Sequence, residues 1–268
     1  MLYQVQDWDD AYANGAHIPQ ADSFVPKWRR QAAAFRATAR HQPLGAEGIL
    51  AKGDLFLPET QPKGLCVFIH GGFWMKFDPS LWSHLGAGPL ARGHAVAIPA
   101  YTLAPDARIG QMTRQIALAL THAAERIAGP IAVTGHSAGG QLAARMVCAD
   151  DTLPAPVLAR IRACVPLSAL VDLRPLMRTA MNPVLRIDGR EALAESPALL
   201  EPAPHIPVTT WVGGAERPEF IRQSRLLADI WAGLGAATEC VIDPGRHHFD
   251  VIDALCQPDS PLIERLLN

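Results

Sequence analysis

The chain has 268 residues, 49% of them hydrophobic, with 24 Lys and Arg against 26 Asp and Glu and hence a formal net charge of −2. That length fits one large α/β domain or two small ones, with ample apolar material for a buried core. A near-neutral balance without a basic run argues against a nucleic-acid partner, and no apolar run approaches the about 18 residues a membrane-spanning helix requires.

Residues 1–10 are polar and acidic, the wrong character for a secretory signal. The five cysteines (Cys66, Cys148, Cys164, Cys240, Cys256) include no C-x-x-C pair and read as reduced core thiols, so a cytoplasmic protein is expected. The ten histidines show no metal-ligand spacing, and neither a metal nor an organic cofactor is expected.

Residues 1–22 hold turn formers such as Asn14-Gly15 and Ile18-Pro19, and read as a loosely structured arm lying on the main domain. Over 23–40, Phe24, Trp28, Ala32, Phe35 and Ala39 recur at helical spacing behind Ser23 as N-cap. Arm and helix (1–45) either pack on the surface or partly cover an active-site mouth. A first strand is expected over 49–57. The run Leu65-Cys66-Val67-Phe68-Ile69 predicts a buried central strand, leading directly into His70-Gly71-Gly72-Phe73-Trp74. A helix over 80–92, a strand over 94–99 and a long helix over 109–127 follow.

Ile131 to Thr134 is apolar and largely β-branched, and passes through Gly135-His136-Ser137-Ala138-Gly139 into a helical stretch. Strand, sharp turn and helix are the context that makes G-x-S-x-G a nucleophile elbow. Strands over 163–167, 208–212 and 238–242 and a helix over 219–234 come next, with terminal helices over 250–256 and 262–267. Residues 171–204, rich in proline and short helices, are the expected cap insertion. Alternating strands and helices predict one α/β domain over 1–268, with a mostly parallel central sheet and helices on both faces. Reactive groups in such sheets collect beyond the carboxyl ends of the strands. His70-Gly71-Gly72, Ser137, Glu216 and His248 all follow predicted strands directly.

A serine hydroxyl attacks only when a histidine removes its proton and a carboxylate orients that histidine. Ser137, Glu216 and His248 occur in the chain order nucleophile, acid, base. Rival acids are Asp172 and Glu219. His247 is the rival base, while His136, inside the elbow, reads as a packing or hydrogen-bonding residue. The loop His70 to Trp74 resembles the oxyanion loop of lipases and esterases, and by that likeness the N–H groups of Gly72 and Phe73 join that of Ala138 around an oxyanion.

These motifs together resemble the α/β-hydrolase superfamily, and within it the kynurenine formamidase (arylformamidase) group of esterase-like enzymes. The resemblance rests on His70-Gly71-Gly72-Phe73-Trp74, Gly135-His136-Ser137-Ala138-Gly139, Glu216-Arg217-Pro218-Glu219-Phe220 and His248-Phe249-Asp250. Tyr101-Thr102-Leu103-Ala104-Pro105 and Asp172-Leu173-Arg174-Pro175-Leu176 add to it, as do Tyr12, Ile18-Pro19 and Trp28 of the arm. Glu216 stands where the family often has Asp. The resemblance implies a serine hydrolase that cleaves a small acyl group from an aryl amide or ester, first of all N-formyl-L-kynurenine to L-kynurenine and formate. Phe73, Trp74 and Tyr101 are the expected substrate-binding residues. The alternatives are a short-chain carboxylesterase and, from another class, a catalytically silent ligand-binding module. A small acyl substrate is the one partner expected, without nucleic acid or membrane; the oligomeric state is open.

Overall fold

The apolar runs become the inner strands of one eight-stranded sheet in a computed structural model that describes residues 4–268; the first three residues of the predicted arm lie outside it. The strands are β1 (His41–Pro43), β2 (Asp54–Phe56), β3 (Leu65–Ile69), β4 (Ala95–Ile98), β5 (Ile131–His136), β6 (Ile161–Leu167), β7 (Val208–Gly213) and β8 (Thr238–Asp243). Their order across the sheet is β1-β2-β4-β3-β5-β6-β7-β8. Strands β3 to β8 run parallel, whereas β2 is antiparallel to both β1 and β4.

The central strands are buried on both faces, which is why they read as continuous apolar runs. In β3, Leu65, Val67 and Ile69 join one hydrophobic cluster while Cys66 and Phe68 join the other. In β4, Ala95 and Ala97 divide from Val96 and Ile98 in the same way. The long helix Ile109–Arg126 and the helix Ala138–Arg145 cover the first face. The helices Phe24–Thr38 and Pro261–Leu267, with the 3₁₀ segment Pro79–Gly86, cover the second.

Register sets the carboxyl ends of the strands level. Ile69 lies opposite Gly135, His136 opposite Leu167, and Gly213 opposite Asp243. The loops after β3, β5, β6, β7 and β8 therefore emerge side by side.

Several local expectations change. Ser23 caps nothing with its side chain: the 3₁₀ turn Ala21–Ser23 runs straight into the helix, so Ser23 is itself helical (φ −76°, ψ −20°) and lacks the extended cap geometry. The strand expected over 49–57 shrinks to Asp54–Phe56, because Leu50–Lys52 forms a 3₁₀ turn that closes a loop back to β1. β1 itself escapes sequence reading, being three residues long and ending on a proline at the sheet edge. The segment 80–92 is mostly 3₁₀, since Pro89 has no N–H to return to Leu85. The segment 250–256 is 3₁₀ as well (Val251–Cys256). The arm is better ordered than expected: it forms three helical turns, Trp8–Tyr12, Asn14–His17 and Ala21–Ser23.

Candidate active site

Ser137 sits between β5 and the helix Ala138–Arg145 with φ 57° and ψ −117°, a strained setting for a residue with a side chain. Glycine makes that turn possible. A Cβ on Gly139 would lie 2.0 Å from the carbonyl oxygen of Ile69, and one on Gly135 would lie 2.2 Å from that of Gly139. Strand β3, strand β5 and the helix are thus in backbone contact around the serine. The Ser137 N–H donates to the Leu167 carbonyl at 2.8 Å, tying the elbow to β6 as well.

The loops after β7 and β8 are stitched together by backbone. Gly214 N–H donates to Asp243 O at 2.7 Å and Ala215 N–H to Arg246 O at 2.9 Å. Gly213 permits the crossing, because a Cβ there would meet Arg246 O at 2.2 Å. Glu216 Oε2 lies 2.6 Å from His248 Nδ1. Its Oε1 accepts the Gly213 N–H at 2.8 Å and the Ser168 hydroxyl at 2.5 Å. Both oxygens of a fully buried carboxylate are therefore satisfied, which fixes its orientation. With Nδ1 bonded to Glu216, His248 has Nε2 left for a second partner.

Ser137 and His248 line one cavity of about 470 Å³. They share no hydrogen bond in this structure; such contacts are commonly long before a substrate compresses them. The ring of His136 lies 4.5 Å from that of His248. Burial, reinforced by the nearby His248, holds His136 well below the usual imidazole range, so it packs as a neutral ring against His248.

The loop after β3 turns through three successive left-handed residues, Gly72 (φ 116°), Phe73 (φ 51°) and Trp74 (φ 57°). Among the described residues the N–H groups of Gly72 and Phe73 donate to no protein acceptor, and Ala138 carries the free N–H of a helix's first residue. A Cβ on Gly71 would touch Ser137 Cβ at 3.1 Å, so this loop lies directly against the serine. Preorganised donors so placed can hold a developing oxyanion.

This left-handed turn separates neighbours that the sequence grouped together. Phe73 lines the cavity. Trp74, expected at the substrate, is instead fully buried, its Nε1 donating to Gln141 Oε1 at 3.1 Å. Tyr101 is likewise removed from the cavity: its ring stacks on His70 at 4.5 Å and its hydroxyl donates to His70 O at 2.9 Å. His70 in turn braces the loop, with Nδ1 at 2.8 Å from Gly71 O, and burial pushes its pKa down to about 4.

The rivals are engaged elsewhere. Asp172 makes a paired contact with Arg174, both distances 2.9 Å. Glu219 binds Arg222 at 2.7 Å and accepts the Tyr12 hydroxyl at 3.1 Å. His247 packs edge-on against Phe24 and its Nδ1 accepts the Phe249 N–H.

Sequence reasoning missed three participants. Ser168, just beyond β6 and in the left-handed region (φ 48°), completes the carboxylate's partners; its position after a strand was the available signal. Gln141, one helical turn beyond Ser137, holds the Trp74 indole and donates to Glu195 O at 2.8 Å. Asn14 reaches the cavity from the arm. Met181 is the cavity's one contribution from residues 171–204.

Comparison with known proteins agrees with this fold. The family model for the alpha/beta hydrolase fold matches residues 66–249. Kynurenine formamidase of Drosophila melanogaster is 31% identical over 237 residues, covering 80% of this chain and 76% of that one. A crystal structure from Silicibacter sp. TM1040, described provisionally as a thioesterase, superposes with TM-score 0.92 at 47% identity, covering 98% of this chain and 99% of that one. A thermophilic esterase of Thermogutta terrifontis shares the fold at 20% identity, with TM-score 0.62 over 78% of this chain and 82% of that one.

Proposed function

This chain belongs to the α/β-hydrolase family and is a hydrolase, and from that premise we propose that Ser137, His248 and Glu216 are its catalytic triad and an aryl formamide its substrate. The observation that carries the assignment is the 2.6 Å contact between Glu216 and His248, with His248 and the strained Ser137 on one cavity beside Gly72 and Phe73, whose N–H groups are free.

In the first half-reaction Ser137 Oγ attacks the formyl carbon while His248 Nε2 takes its proton. Glu216 stabilises the imidazolium that forms, and the three N–H groups hold the oxyanion. His248 then gives the proton to the leaving aryl nitrogen, and the C–N bond breaks to leave a formyl ester on Ser137. In the second half, His248 deprotonates water, which attacks that ester. Formate leaves and Ser137 recovers its proton.

N-formyl-L-kynurenine is the substrate this reading names first, because the formamidase relative covers most of both chains. The arm and residues 171–204 act as the cap over the site, with Met181 the insertion's share of its wall. Nothing in the proposed chemistry calls for a metal or cofactor, and the protein is proposed to work in the cytoplasm. Among the described residues no helix is long and apolar enough to cross a membrane.

A second reading is short-chain ester or thioester hydrolysis by the same residues, favoured by the 47%-identical structure described as a thioesterase. Turnover of N-formylkynurenine against acetyl and butyryl aryl esters and an acyl thioester separates the two. A kcat/KM for the formamide at least tenfold above every ester supports the first reading, and the reverse order supports the second.

A further inference from the structure

The catalytic cavity has two kinds of wall. Strand-end loops bring Gly72, Phe73, Ser137 and His248, while the arm brings Asp9, Tyr12, Ala13, Asn14 and Gly15. The arm is anchored through Asp9, Asp10 and Tyr12. The Tyr12 hydroxyl donates to Glu219 Oε1 at 3.1 Å and accepts from Gln223 Nε2 at 3.0 Å. Arg217, next to the acid, binds the Asp10 carboxylate and donates to the Asp10 carbonyl. Asp9 Oδ1 accepts the Ala180 N–H at 2.7 Å.

Asn14 stands out against this background of satisfied contacts. Its residue is 5% exposed, yet both Oδ1 and Nδ2 lack a hydrogen-bond partner. A buried amide left unpaired is costly, and native structures retain one where something else completes it. The residue lines the reaction cavity, and its amide carries one acceptor and two donors. Histidine aside, just two charged side chains line that cavity, and they have opposite sign: Asp9 and Lys76, both exposed at its mouth. Lys76 makes no ion pair among the described residues, and Asp9 Oδ2 is left free by the Ala180 contact.

We propose that Asn14, Asp9 and Lys76 form a leaving-group subsite for an α-amino acid carried on the aryl ring. Asn14 takes a neutral polar group of the leaving portion, Lys76 its carboxylate and Asp9 its ammonium. The proposal rests on the triad assignment and deepens it by naming the substrate's second recognised part. A hydrolase that reads only the acyl group and the ring has no use for an unpaired amide and two opposite charges here. A site built to pair a polar group rejects the analogue that lacks it far more strongly than an apolar site rejects a missing methylene.

The test uses two substrate pairs, each with and without the polar side chain on the ring. N-formylkynurenine is compared with formanilide, and O-acetyl-L-tyrosine with 4-methylphenyl acetate. The readout is the ratio of kcat/KM within each pair, for wild type, Asn14→Leu and Lys76→Met. The wild-type ratio is expected to exceed ten in at least one pair. Asn14→Leu is expected to lower that ratio roughly tenfold or more, and Lys76→Met roughly threefold to tenfold, through KM and less so at high salt. Wild-type ratios near one in both pairs, or ratios that both variants leave within twofold, overturn the subsite. Lys76 is exposed, so its variant keeps the test open if Asn14→Leu does not fold. Because the ester pair needs no formamide chemistry, a wild type inactive on both formamides refutes the formamidase reading while the subsite is still decided on the esters.

Discussion

The two walls of the cavity are held in place by different physics. The strand-end wall is backbone packed on backbone: Gly135, Gly139 and Gly213 stand where a Cβ would come within 2.0–2.2 Å of a neighbouring backbone oxygen. The arm wall is held by side chains reaching across the fold, Tyr12 to Glu219, Asp10 to Arg217, Asp9 to Ala180. The first kind of contact has no slack and suits groups that must be placed within fractions of an ångström for attack. The second can change with a few substitutions and suits the choice of substrate. On the proposed assignment, chemistry belongs to the sheet and selectivity to the arm.

The largest effects should come from the sheet side. Ser137→Ala is expected to lower kcat by about 10⁴ or more with an unchanged melting temperature, and His248→Ala by a similar factor. The double variant should be little worse than either, since the two act as one unit; multiplying losses would break that pairing. His247→Ala, whose ring packs on Phe24, should cost less than tenfold. Glu216→Gln should lower kcat by roughly 10²–10⁴, and Asp172→Asn far less. The opposite ranking in folded variants would move the acid to the loop after β6.

Phe73 tests the boundary between the walls. If its ring closes the acyl side, Phe73→Ala should raise kcat/KM for butyryl relative to formyl substrates, at about 1–3 kcal/mol for each methylene newly accommodated. An unchanged ratio in a stable variant would take the ring away from the acyl group.

Those sheet-side residues were legible in the sequence because each carries a local signal: glycines at fixed offsets around a serine, and reactive residues directly after apolar runs. The place of Glu216 after the penultimate strand then favoured it over Asp172, which follows the strand before. Adjacent residues were harder. Phe73 and Trp74 read alike, and only the three left-handed residues in a row turn one toward the cavity and the other onto Gln141. Tyr101 read as a substrate contact because its segment matched a family pattern, whereas its hydroxyl serves the His70 loop. Asn14 and Ser168 had no periodic signal, since the partners that give them meaning lie far away in the chain.

The arm should yield smaller effects on stability. Tyr12→Phe removes a hydroxyl bonded to Glu219 and Gln223, which keep each other, Arg222 and the Asp172 carbonyl as partners, so about 0.5–1.5 kcal/mol of stability should be lost by denaturant titration. A shift below a few tenths would mean the arm is not anchored there.

A pH dependence is expected on the sheet side as well. Burial pushes His70 and His84 down to about 4, below the about 6.5 of an unfolded imidazole. The unfolded chain binds their protons first, so their contribution is complete above about pH 6.5 and declines as pH falls toward 4. Each group adds up to about 1.4 kcal/mol per pH unit to that slope. His70→Gln should flatten the acid limb of a stability–pH curve; an unchanged slope would show that His70 accepts a proton in the folded state as readily as in the unfolded chain.

Covalent capture tests the central claim most directly. Wild-type enzyme treated with a fluorophosphonate and digested for mass spectrometry should carry one phosphonyl group, on the peptide containing Ser137, with activity lost in proportion. Ser137→Ala should take none, and Glu216→Gln should label more slowly at the same residue. Labelling of another residue in wild type, or full loss of activity with Ser137 unmodified, would contradict the assignment of the nucleophile.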